Sequence, residues 1–540
     1  MSPVAAVVGS GPNGLTAACA LAREGFDVTV YEAAEAPGGA LRSAELFGEG
    51  IISDLGASVH PLNIASPAYD ELLAGHDLGW RHPEIPAAHA LDGTNDAASP
   101  VLLRSSLEET AAGLGEDGVR WRQLIGPMVE HWDAVRRAAF TPPSRPFTGA
   151  TRSGQGGEAP SLRPQVGQLA HRAHALLQVG ARGGLPAAAF ARLFRSDRTR
   201  ALFAGLAGHS TAPLTRPMTS AFGVILAAVA HSSGWPVVQG GSQRIVDALT
   251  AELHSHGGRI ETGFRIEGVH EAPLPAGRRG IRRDLRRRGW RLEGVRRAHE
   301  GARARRRTAE EVADVVVLDV TPAQLLRLQG LNFPQGVQSA LRRWEYGSAV
   351  VKVDYLLHGP VPWSQPELAR AGTVHLGGTA EQIVLSEAAA HRGVLPGRPY
   401  VLMAQPSAAD PTRTPDDRTV AWAYAHVPRG LDATGTRRAV TLIEEELSRQ
   451  APGFRDAVAQ RRVWGPAELE SWNENLVDGT ISGGLPTLMQ TFSRPARPWK
   501  PYTTGVEGVY LCSSATPPGG GAHGMGGWNA AHRVLRDVQG

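Results

Sequence analysis

Apolar residues at the start of the chain fall into two short runs on either side of a helical stretch. Val4 to Val8 is an uninterrupted apolar run, which predicts a strand buried on both faces. The Ala- and Leu-rich segment from Leu15 to Glu24 predicts a helix, and Asp27 to Tyr31 predicts a second strand. The order strand, helix, strand is typical of a parallel βαβ unit that opens an α/β domain.

The turn between the first strand and the helix has the spacing G-x-G-x-x-G, formed by Gly9, Gly11 and Gly14. The first glycine permits a tight turn, the second lets the backbone approach a pyrophosphate, and the third lets the helix pack on the sheet. The helix N-terminus offers free N–H groups to phosphates. Glu32, after the second strand, lies where an acid binds ribose hydroxyls in this motif. The segment predicts a dinucleotide site, to which we also assign Pro12 and Asn13.

A second pair of glycines, Gly38 and Gly39, follows shortly after the ribose acid. This pair resembles the extended fingerprint of FAD-containing flavoproteins of the glutathione-reductase and amine-oxidase type. In those proteins the segment runs along the ribityl chain and the pyrophosphate, and an arginine usually follows the glycines directly. Here Ala40 takes that position and Arg42 stands two residues later. The resemblance implies non-covalent FAD rather than NAD, with contacts from Ala33, Ala40 and Leu41. Either Arg42 takes over the contact of the usual arginine or the backbone alone makes it.

Later segments are predicted to return to the same cofactor. The loop that follows Ser53 contains Gly56, Ala57 and Ser58, and small residues there would admit the flavin ring. Near the C-terminus a strand leads into a glycine-rich loop and a closing helix, an order that can bring backbone N–H groups to a ring carbonyl or a phosphate. The backbone near Ile266 is predicted to face the adenine. The residues assigned to the cofactor near the C-terminus are Ser513, Ser514, Gly524, Met525 and Trp528.

At 540 residues the chain is too long for one compact core. We predict an α/β fold, in which a Rossmann-like FAD-binding domain of the glutathione-reductase and amine-oxidase type is interleaved with an α+β substrate domain. The FAD-binding parts are 1–65, 231–330 and 505–540. The substrate-domain parts are 66–230, mostly helical, and 331–504, a sheet with helices.

Four apolar stretches of the mostly helical part predict its longer helices. They are Pro67 to Leu73, Trp121 to Phe140, Val166 to Val179 and Ala187 to Ala207. The segment from Thr141 to Pro164 is rich in Pro and Gly and predicts a loop.

The whole chain resembles the carotenoid (phytoene) desaturase branch of the FAD-dependent amine-oxidase-like superfamily, and more narrowly the pyridine nucleotide-disulphide oxidoreductase domain proteins. Besides the opening fingerprint, the resemblance rests on Gln239-Gly240-Gly241, Asn473-Glu474-Asn475-Leu476 and the run from Cys512 to Gly521. Pro517 stands where carotenoid desaturases have a histidine, which argues against a carotenoid substrate. The resemblance implies an oxidoreductase in which an apolar or amphipathic organic substrate gives a hydride to the flavin.

Flavin chemistry of this kind needs no unique acid or base, because the cofactor carries the reaction. The candidates for a catalytic, substrate-facing role are His60, His209 and His523. For His60 the alternative is a loop histidine with a backbone partner. An amine or amino-acid oxidase is an alternative activity. An alternative of another class is a flavin-bearing protein that associates with a membrane or a partner and has little turnover.

Fourteen arginines lie between residues 278 and 307, although the whole chain has a formal net charge of only +4. Two interpretations are open, a surface for an anionic partner or membrane and a solvated hairpin insertion. Trp290 is the one aromatic residue there, so nothing indicates base stacking and no nucleic acid is expected. The expected partners are a small-molecule substrate and an electron acceptor that is oxygen, a quinone or a protein, with peripheral membrane contact as an alternative.

The chain has two cysteines, Cys19 and Cys512, and no C-x-x-C pair. This excludes the thiol–disulfide reductases, which need a dithiol, and is consistent with a reducing cytoplasm. No metal site is predicted. The apolar run Ala221 to Ala230 is too short to span a bilayer, and no basic segment precedes the strand at Val4, so neither a membrane span nor a signal peptide is expected.

Overall fold

The computed structural model describes residues 2–92, 99–142, 180, 182–275, 288–296, 305–492, 494–495 and 500–539. The helix predicted for Val166 to Val179 lies outside these ranges. Most of the arginine-rich segment and most of the loop predicted from Thr141 to Pro164 also lie outside them.

The strands, in chain order, are β1 (Val4–Val8), β2 (Asp27–Tyr31), β3 (Ser43–Ala44), β4 (Ser53–Asp54), β5 (Trp80–Arg81), β6 (Ile85–His89), β7 (Val101–Leu103), β8 (Val237–Val238), β9 (Arg259–Glu261), β10 (Phe264–Pro273), β11 (Arg288–Arg296), β12 (Arg305–Thr308), β13 (Val315–Leu318), β14 (Ala349–Leu357), β15 (Ala371–Leu376), β16 (Val401–Ala404), β17 (Thr419–Val427), β18 (Val458–Trp464) and β19 (Val509–Leu511).

The α-helices cover Pro12–Arg23, Pro61–Ile64, Pro67–Leu72, Leu107–Gly113, Gly118–Glu130, Trp132–Phe140, Ala187–Ala191, Asp197–Gly208, Ser220–Ser232, Gln243–Ser255, Pro322–Leu325, Gln335–Arg342, Ala380–His391, Ala433–Gln450, Phe454–Ala457, Pro466–Trp472, Leu488–Phe492 and Met525–Gln539. Short 3-10 helices cover Gly39–Leu41, Gly115–Asp117, Pro366–Arg370, Pro406–Ala408, Pro411–Arg413 and Val477–Gly479.

A parallel five-stranded sheet has the order β19-β13-β1-β2-β9. Its strands come from the N-terminal segment, the middle of the chain and the C-terminal segment, and every pairing in it is parallel. β1 lies at the centre and all five of its residues are buried, as its continuous apolar run predicted. The chain passes from β1 to β2 on one side and places β13 on the other, so the strand order reverses between β1 and β13.

A larger sheet of seven strands has the order β18-β14-β17-β16-β15-β6-β7 and is antiparallel except where β15 pairs with β6. All nine residues of β14 are buried, because both faces of this sheet are covered. One face packs on the helix Ala433–Gln450 within its own apolar cluster. The other face carries Trp422, Tyr424 and Trp464 and joins the cluster that contains the first helix.

Two helices that the sequence predicts as continuous are interrupted. The stretch Trp121 to Phe140 forms two helices separated at His131, whose backbone leaves the helical region four residues after Pro127. Pro127 itself lies inside the first of these helices, which continues three residues beyond it to Glu130. The stretch from Ala187 is likewise divided, because the chain leaves the helix at Arg192 and starts again after Ser196, whose side chain caps the new helix.

A buried ion pair joins the end of β4 to the segment that precedes β17. The guanidinium of Arg413 has no exposed surface and donates to Asp54 and to Asp410, each at 2.8 Å. It also donates to the carbonyl of Val238 at 2.9 Å. Burial by itself would raise the pKa of Asp54, but Arg413 and the hydrogen bond from Ser242 N–H hold that pKa well below its usual range.

Within the described ranges, no helix is both long enough and apolar enough to cross a membrane.

Replacing Arg413 by methionine should destabilise the fold, because Asp54 and Asp410 would then be buried without their shared cation. Breaking a buried ion pair from one side typically costs about 3–5 kcal/mol. Urea unfolding followed by circular dichroism measures the change in free energy of unfolding. Arg418→Met is the matched control, since Arg418 pairs with Asp416 at the surface, and it should leave the midpoint unchanged. A shift of equal size in both variants would contradict the expectation.

Candidate dinucleotide site

The glycine turn leads directly from β1 into the helix Pro12–Arg23, and its shape leaves no room for side chains. Gly9 has a φ of +96°, which disfavours other residues. A β-carbon at Gly14 would overlap the carbonyl oxygen of Gly9. Gly11 is the residue before the helix, and Pro12 begins it, where its missing N–H costs no hydrogen bond. The first and third glycines therefore have the geometric roles that the motif predicts.

Asp319 lies beside this turn and was missed by sequence reasoning. It follows β13 and is almost fully buried. Its Oδ2 accepts a hydrogen bond of 3.0 Å from the N–H of Gly14, and a β-carbon at Gly11 would lie 2.7 Å from the same oxygen. The missing side chain of Gly11 thus makes room for a carboxyl group as well as for the predicted pyrophosphate. Its position directly after a buried strand is the one feature of the sequence that could have indicated Asp319 as a site residue.

Glu32 directly follows β2, and its carboxylate bonds back to the glycine turn. Oε2 accepts from the N–H and the hydroxyl of Ser10 at 2.8 and 2.6 Å, and Oε1 accepts from the N–H of Ala34 at 2.8 Å. Ala33 therefore lies within a tight loop around the acid. The N–H of Phe264 donates to the Glu32 carbonyl at 2.8 Å, which brings the start of β10, with Ile266 two residues further on, to this end of the site.

The second glycine pair meets the first glycine turn. Gly38 and Gly39 have φ values of +122° and +51°, so both adopt conformations that glycine favours. A β-carbon at Gly39 would lie 3.0 Å from the α-carbon of Gly11. The N–H of Gly38 donates to the Ser10 carbonyl at 3.0 Å. The two segments that the sequence assigned to one cofactor are therefore in direct contact.

Arg42 lies against an aromatic ring rather than an acid. Its guanidinium is 4.9 Å from the centre of the Trp472 ring, and its Nε is buried with no hydrogen-bond partner in the described structure. Burial lowers the pKa of Arg42, and Glu32 opposes this change. The side chain of Leu41 is buried in the core, so it can offer only its backbone to a ligand.

The loop that contains Gly56, Ala57 and Ser58 packs on the segment around Ala40. The N–H of Ala57 donates to the Ala40 carbonyl at 2.8 Å, and a β-carbon at Gly56 would overlap that same carbonyl. The hydroxyl of Ser58 donates to Asp54 at 2.5 Å, so its side chain is held by the buried ion pair.

The closing helix Met525–Gln539 completes the site by packing on the first helix. A β-carbon at Gly527 would overlap the backbone carbonyl of Asn13, and one at Gly524 would overlap the hydroxyl of Thr16. Ser513 and Met525 are buried, and Ser514 lies against Gly483. The Trp528 ring packs on His532, with the ring centres 4.4 Å apart. Gly526 and Gly527 were not among the assigned residues, although glycines at such close contacts are as necessary as those of the first turn.

Of the three candidate histidines, His60 and His523 are buried and His209 is partly buried, and each has an internal partner. His60 Nε2 lies 2.9 Å from the Ser242 hydroxyl, and His209 Nε2 lies 3.0 Å from Nε2 of His375. His523 Nδ1 accepts from the N–H of Met525 at 3.1 Å. Burial lowers the pKa of His60 and His523 to about 4 and that of His209 to about 3. All three rings are therefore neutral at pH 7, and their catalytic role stays a prediction.

Several buried polar atoms of the glycine segments, of the large sheet and of the loops near them have no hydrogen-bond partner within the described residues. Lys352 of β14 connects the two parts, because its Nζ donates to the Asp54 carbonyl at 3.1 Å and lies 5.5 Å from the Trp422 ring centre. Buried polar atoms are normally hydrogen-bonded, so these atoms have the capacity to bond to a ligand. In the described residues, the unpartnered atoms of this region are Arg42 Nε, Ser53 Oγ, Ser210 Oγ, Ser348 Oγ, Trp422 Nε1, Trp472 Nε1 and Thr480 Oγ1.

The chain is similar in sequence and in fold to known proteins. Residues 7–73 match the family model of the NAD(P)-binding Rossmann-like domain. The chain is 27% identical over 354 residues to pyridine nucleotide-disulfide oxidoreductase domain-containing protein 2 of Rattus norvegicus, covering 60% of this chain and 56% of the relative. It is 28% identical over 274 residues to hydroxyneurosporene desaturase of Rubrivivax gelatinosus, covering 49% and 47%.

The fold resembles that of wild-type putrescine oxidase bound to putrescine, with a TM-score of 0.58, 15% identity and coverage of 100% of this chain and 99% of the other. The chain has the amine-oxidase-like fold. The resemblance predicted from the motifs and the predicted α/β fold are both confirmed. The matches cover only about half the length of the curated relatives.

The buried neutral histidines should make the protein sensitive to acid. Their pKa values in the folded state lie below the usual value of about 6.5, so the unfolded chain binds more protons as the pH falls from 6.5 towards 4. The contribution of these neutral histidines to stability is therefore fully present above pH 6.5 and is lost as the pH falls below it. Between pH 7 and pH 4.5, protonation of His523 in the unfolded chain should by itself lower the free energy of unfolding by roughly 2–3 kcal/mol.

Urea unfolding of the wild type and of His523→Gln at pH 7 and pH 4.5 measures this loss, which should be smaller in the variant. The exposed His254 is the matched control, and His254→Gln should keep the wild-type pH dependence. An unchanged pH dependence in His523→Gln would contradict the burial argument.

Proposed function

We propose that this chain is an FAD-dependent oxidoreductase that takes a hydride from an apolar or amphipathic organic substrate. The observation that carries the proposal is the direct contact between Gly11 and Gly39. NAD requires only the first glycine turn and its ribose acid, whereas a second glycine segment packed on that turn suits a dinucleotide that continues towards a ribityl chain.

The residues around these segments fit a bound flavin. Glycine at 11, 38 and 39 keeps side chains away from the path of the pyrophosphate. The partnerless Nε of Arg42 and Nε1 of Trp472 are donors that a polar ring edge could satisfy. In this proposal Glu32 holds the ribose, the first helix N-terminus faces the phosphates, and the C-terminal loop lies along the ring.

The large sheet would supply the substrate side of the site. Lys352, Trp422 and Trp464 share one face, since Lys352 pairs with Trp464 and Asp354 pairs with Trp422 across adjacent strands. The Nε1 of Trp464 donates to Asp354 at 2.7 Å, which fixes the ring. FAD supplies the two-electron acceptor when bound. The aromatic residues would orient an apolar substrate and exclude water from the place of hydride transfer.

An amine oxidase is the second candidate, because Trp422 and Tyr424 lie next to each other on this face. Their ring centres are 5.8 Å apart and the planes differ by 11°. Such a pair offers π-faces to a substrate that carries nitrogen. The relative that binds putrescine lends support through its fold alone.

For the arginines of the arginine-rich segment that belong to the described residues, we propose a solvated, locally paired surface rather than a binding surface. Within the described residues, Arg288 pairs with Glu271 at 2.7 Å, Arg296 with Glu261 at 3.6 Å and Arg306 with Glu267 at 3.6 Å. Local pairing of this kind lowers the net charge that is available to an anionic partner. The electron acceptor is proposed to be oxygen, a quinone or a protein.

Purified protein supplemented with FAD should show the absorbance bands of a bound flavin after gel filtration. Gly14→Ala should weaken binding, because its methyl group would overlap the Gly9 carbonyl and force the turn open. We expect the affinity to fall at least about tenfold, which corresponds to about 1.4 kcal/mol. Gly336→Ala is the matched control, since its methyl group would meet nothing within 4 Å. A wild type without flavin bands would refute the proposal.

Anaerobic mixing with candidate substrates separates the two activities. An apolar or amphipathic alcohol, alkene or saturated chain should bleach the flavin bands if the first candidate is right. Bleaching by primary amines alone, with hydrogen peroxide released on admission of air, would support the second. Trp422→Ala should slow bleaching at least about tenfold while FAD stays bound, because the ring lies on the proposed substrate face. Loss of FAD in that variant would instead place Trp422 in the cofactor site.

A further inference from the structure

Asp319 occupies the place in the parallel sheet where a ligand is expected. In open α/β sheets, ligands bind outside the carboxyl ends of the strands at the point where the strand order reverses. Here that point lies between β1 and β13. Asp319 is the first residue after β13, and its N–H donates to the carbonyl of Val8 at the end of β1, at 2.7 Å.

The carboxyl group of Asp319 is held firmly in this position. The Asp319 carbonyl accepts from the side-chain amide of Asn475 at 2.9 Å, which fixes the backbone. Oδ2 accepts from the N–H of Gly14 at 3.0 Å and lies beside the α-carbon of Gly11. Within the ranges that the structure describes, Oδ1 has no hydrogen-bond partner. One carboxyl oxygen is therefore available to a ligand that passes over Gly11.

A negative charge on this carboxyl would oppose dinucleotide binding. The pyrophosphate of FAD carries two negative charges at neutral pH, and the N–H of Gly14 is one of those that the motif offers to phosphates. The acidic groups that face Asp319 are Glu32, at the end of β2, and the thiol of Cys512, after β19. Burial raises the pKa of Asp319 to about 7, and Glu32 adds to this, whereas the hydrogen bond from Gly14 opposes it.

We propose that Asp319 accommodates the pyrophosphate only as a neutral carboxylic acid, so that the binding of FAD is coupled to the uptake of one proton by this residue. The proton comes from solvent and binds a carboxylate oxygen, and no other bond changes. A neutral acid can donate a hydrogen bond to a phosphate oxygen, while the ionised form would repel it. This inference rests on the proposed function, because it requires that the dinucleotide be FAD.

The test is the affinity of the apoprotein for FAD, measured by quenching of flavin fluorescence between pH 6 and pH 8.5. In the wild type, the dissociation constant should be constant at low pH and rise towards tenfold per pH unit above about pH 7. Asp319→Asn has the same shape and no charge, so its affinity should be independent of pH and exceed that of the wild type at pH 8.5. Asp314→Asn, at the other end of the same strand, should keep the wild-type pH dependence.

A second measurement uses the wild type alone. Calorimetric titration with FAD at pH 8, in two buffers of different ionisation enthalpy, should report an uptake that approaches one proton. Constant affinity from pH 6 to 8.5, or no proton uptake, would overturn the role of Asp319 while leaving FAD binding intact. Absence of FAD binding at every pH would overturn the proposed function and the role of Asp319 with it.

Discussion

The rest of this structure depends on close contacts between backbone segments at glycine residues. Glycines lie at the start of the first helix and on the segments that pack against it. At each of these glycines, an added β-carbon would meet the main chain of a neighbouring segment. Gly14 lies against Gly9 within the turn, and Gly39 against Gly11 of the same turn. Gly527 of the closing helix lies against Asn13. Because protein interiors do not accommodate extra atoms without displacement, the three segments hold one another in a single arrangement.

The large sheet is attached to this arrangement by buried charged groups as well as by a backbone hydrogen bond from Ile52 to Arg413. Arg413 and Lys352 both bond to Asp54, one through the carboxylate and the other through the main-chain carbonyl. Burying an ion without its partners raises the free energy of the folded state. These ion pairs therefore favour one relative position of the glycine segments and the large sheet. The aromatic face of the sheet is thereby fixed opposite the glycine segments, which is what a site between the two layers requires.

The glycine turns and the parallel strands could be predicted because their signals are short and contiguous, such as Gly9 to Gly14 followed by Glu32. Asp319 and Trp472 could not, since each reaches the site from hundreds of residues away and neither belongs to a motif with fixed spacing. The break at His131 was missed because apolar periodicity continues through it. The buried histidines were recognised as candidates, but only the fold reveals that each already has a partner.

The packing of the last helix on the first has a consequence for how the chain folds. The N–H of Gly527 lies 3.4 Å from the side-chain oxygen of Asn13, across 514 residues of sequence. Contacts between such distant residues form late, because the entropy of closing the intervening loop must first be overcome. During synthesis the opening strand and helix therefore emerge long before the residues that cover them. The surface of the first helix that packs on Met525–Gln539 therefore stays exposed until that helix has been made, whereas the surface that packs on Gln243–Ser255 can be covered earlier.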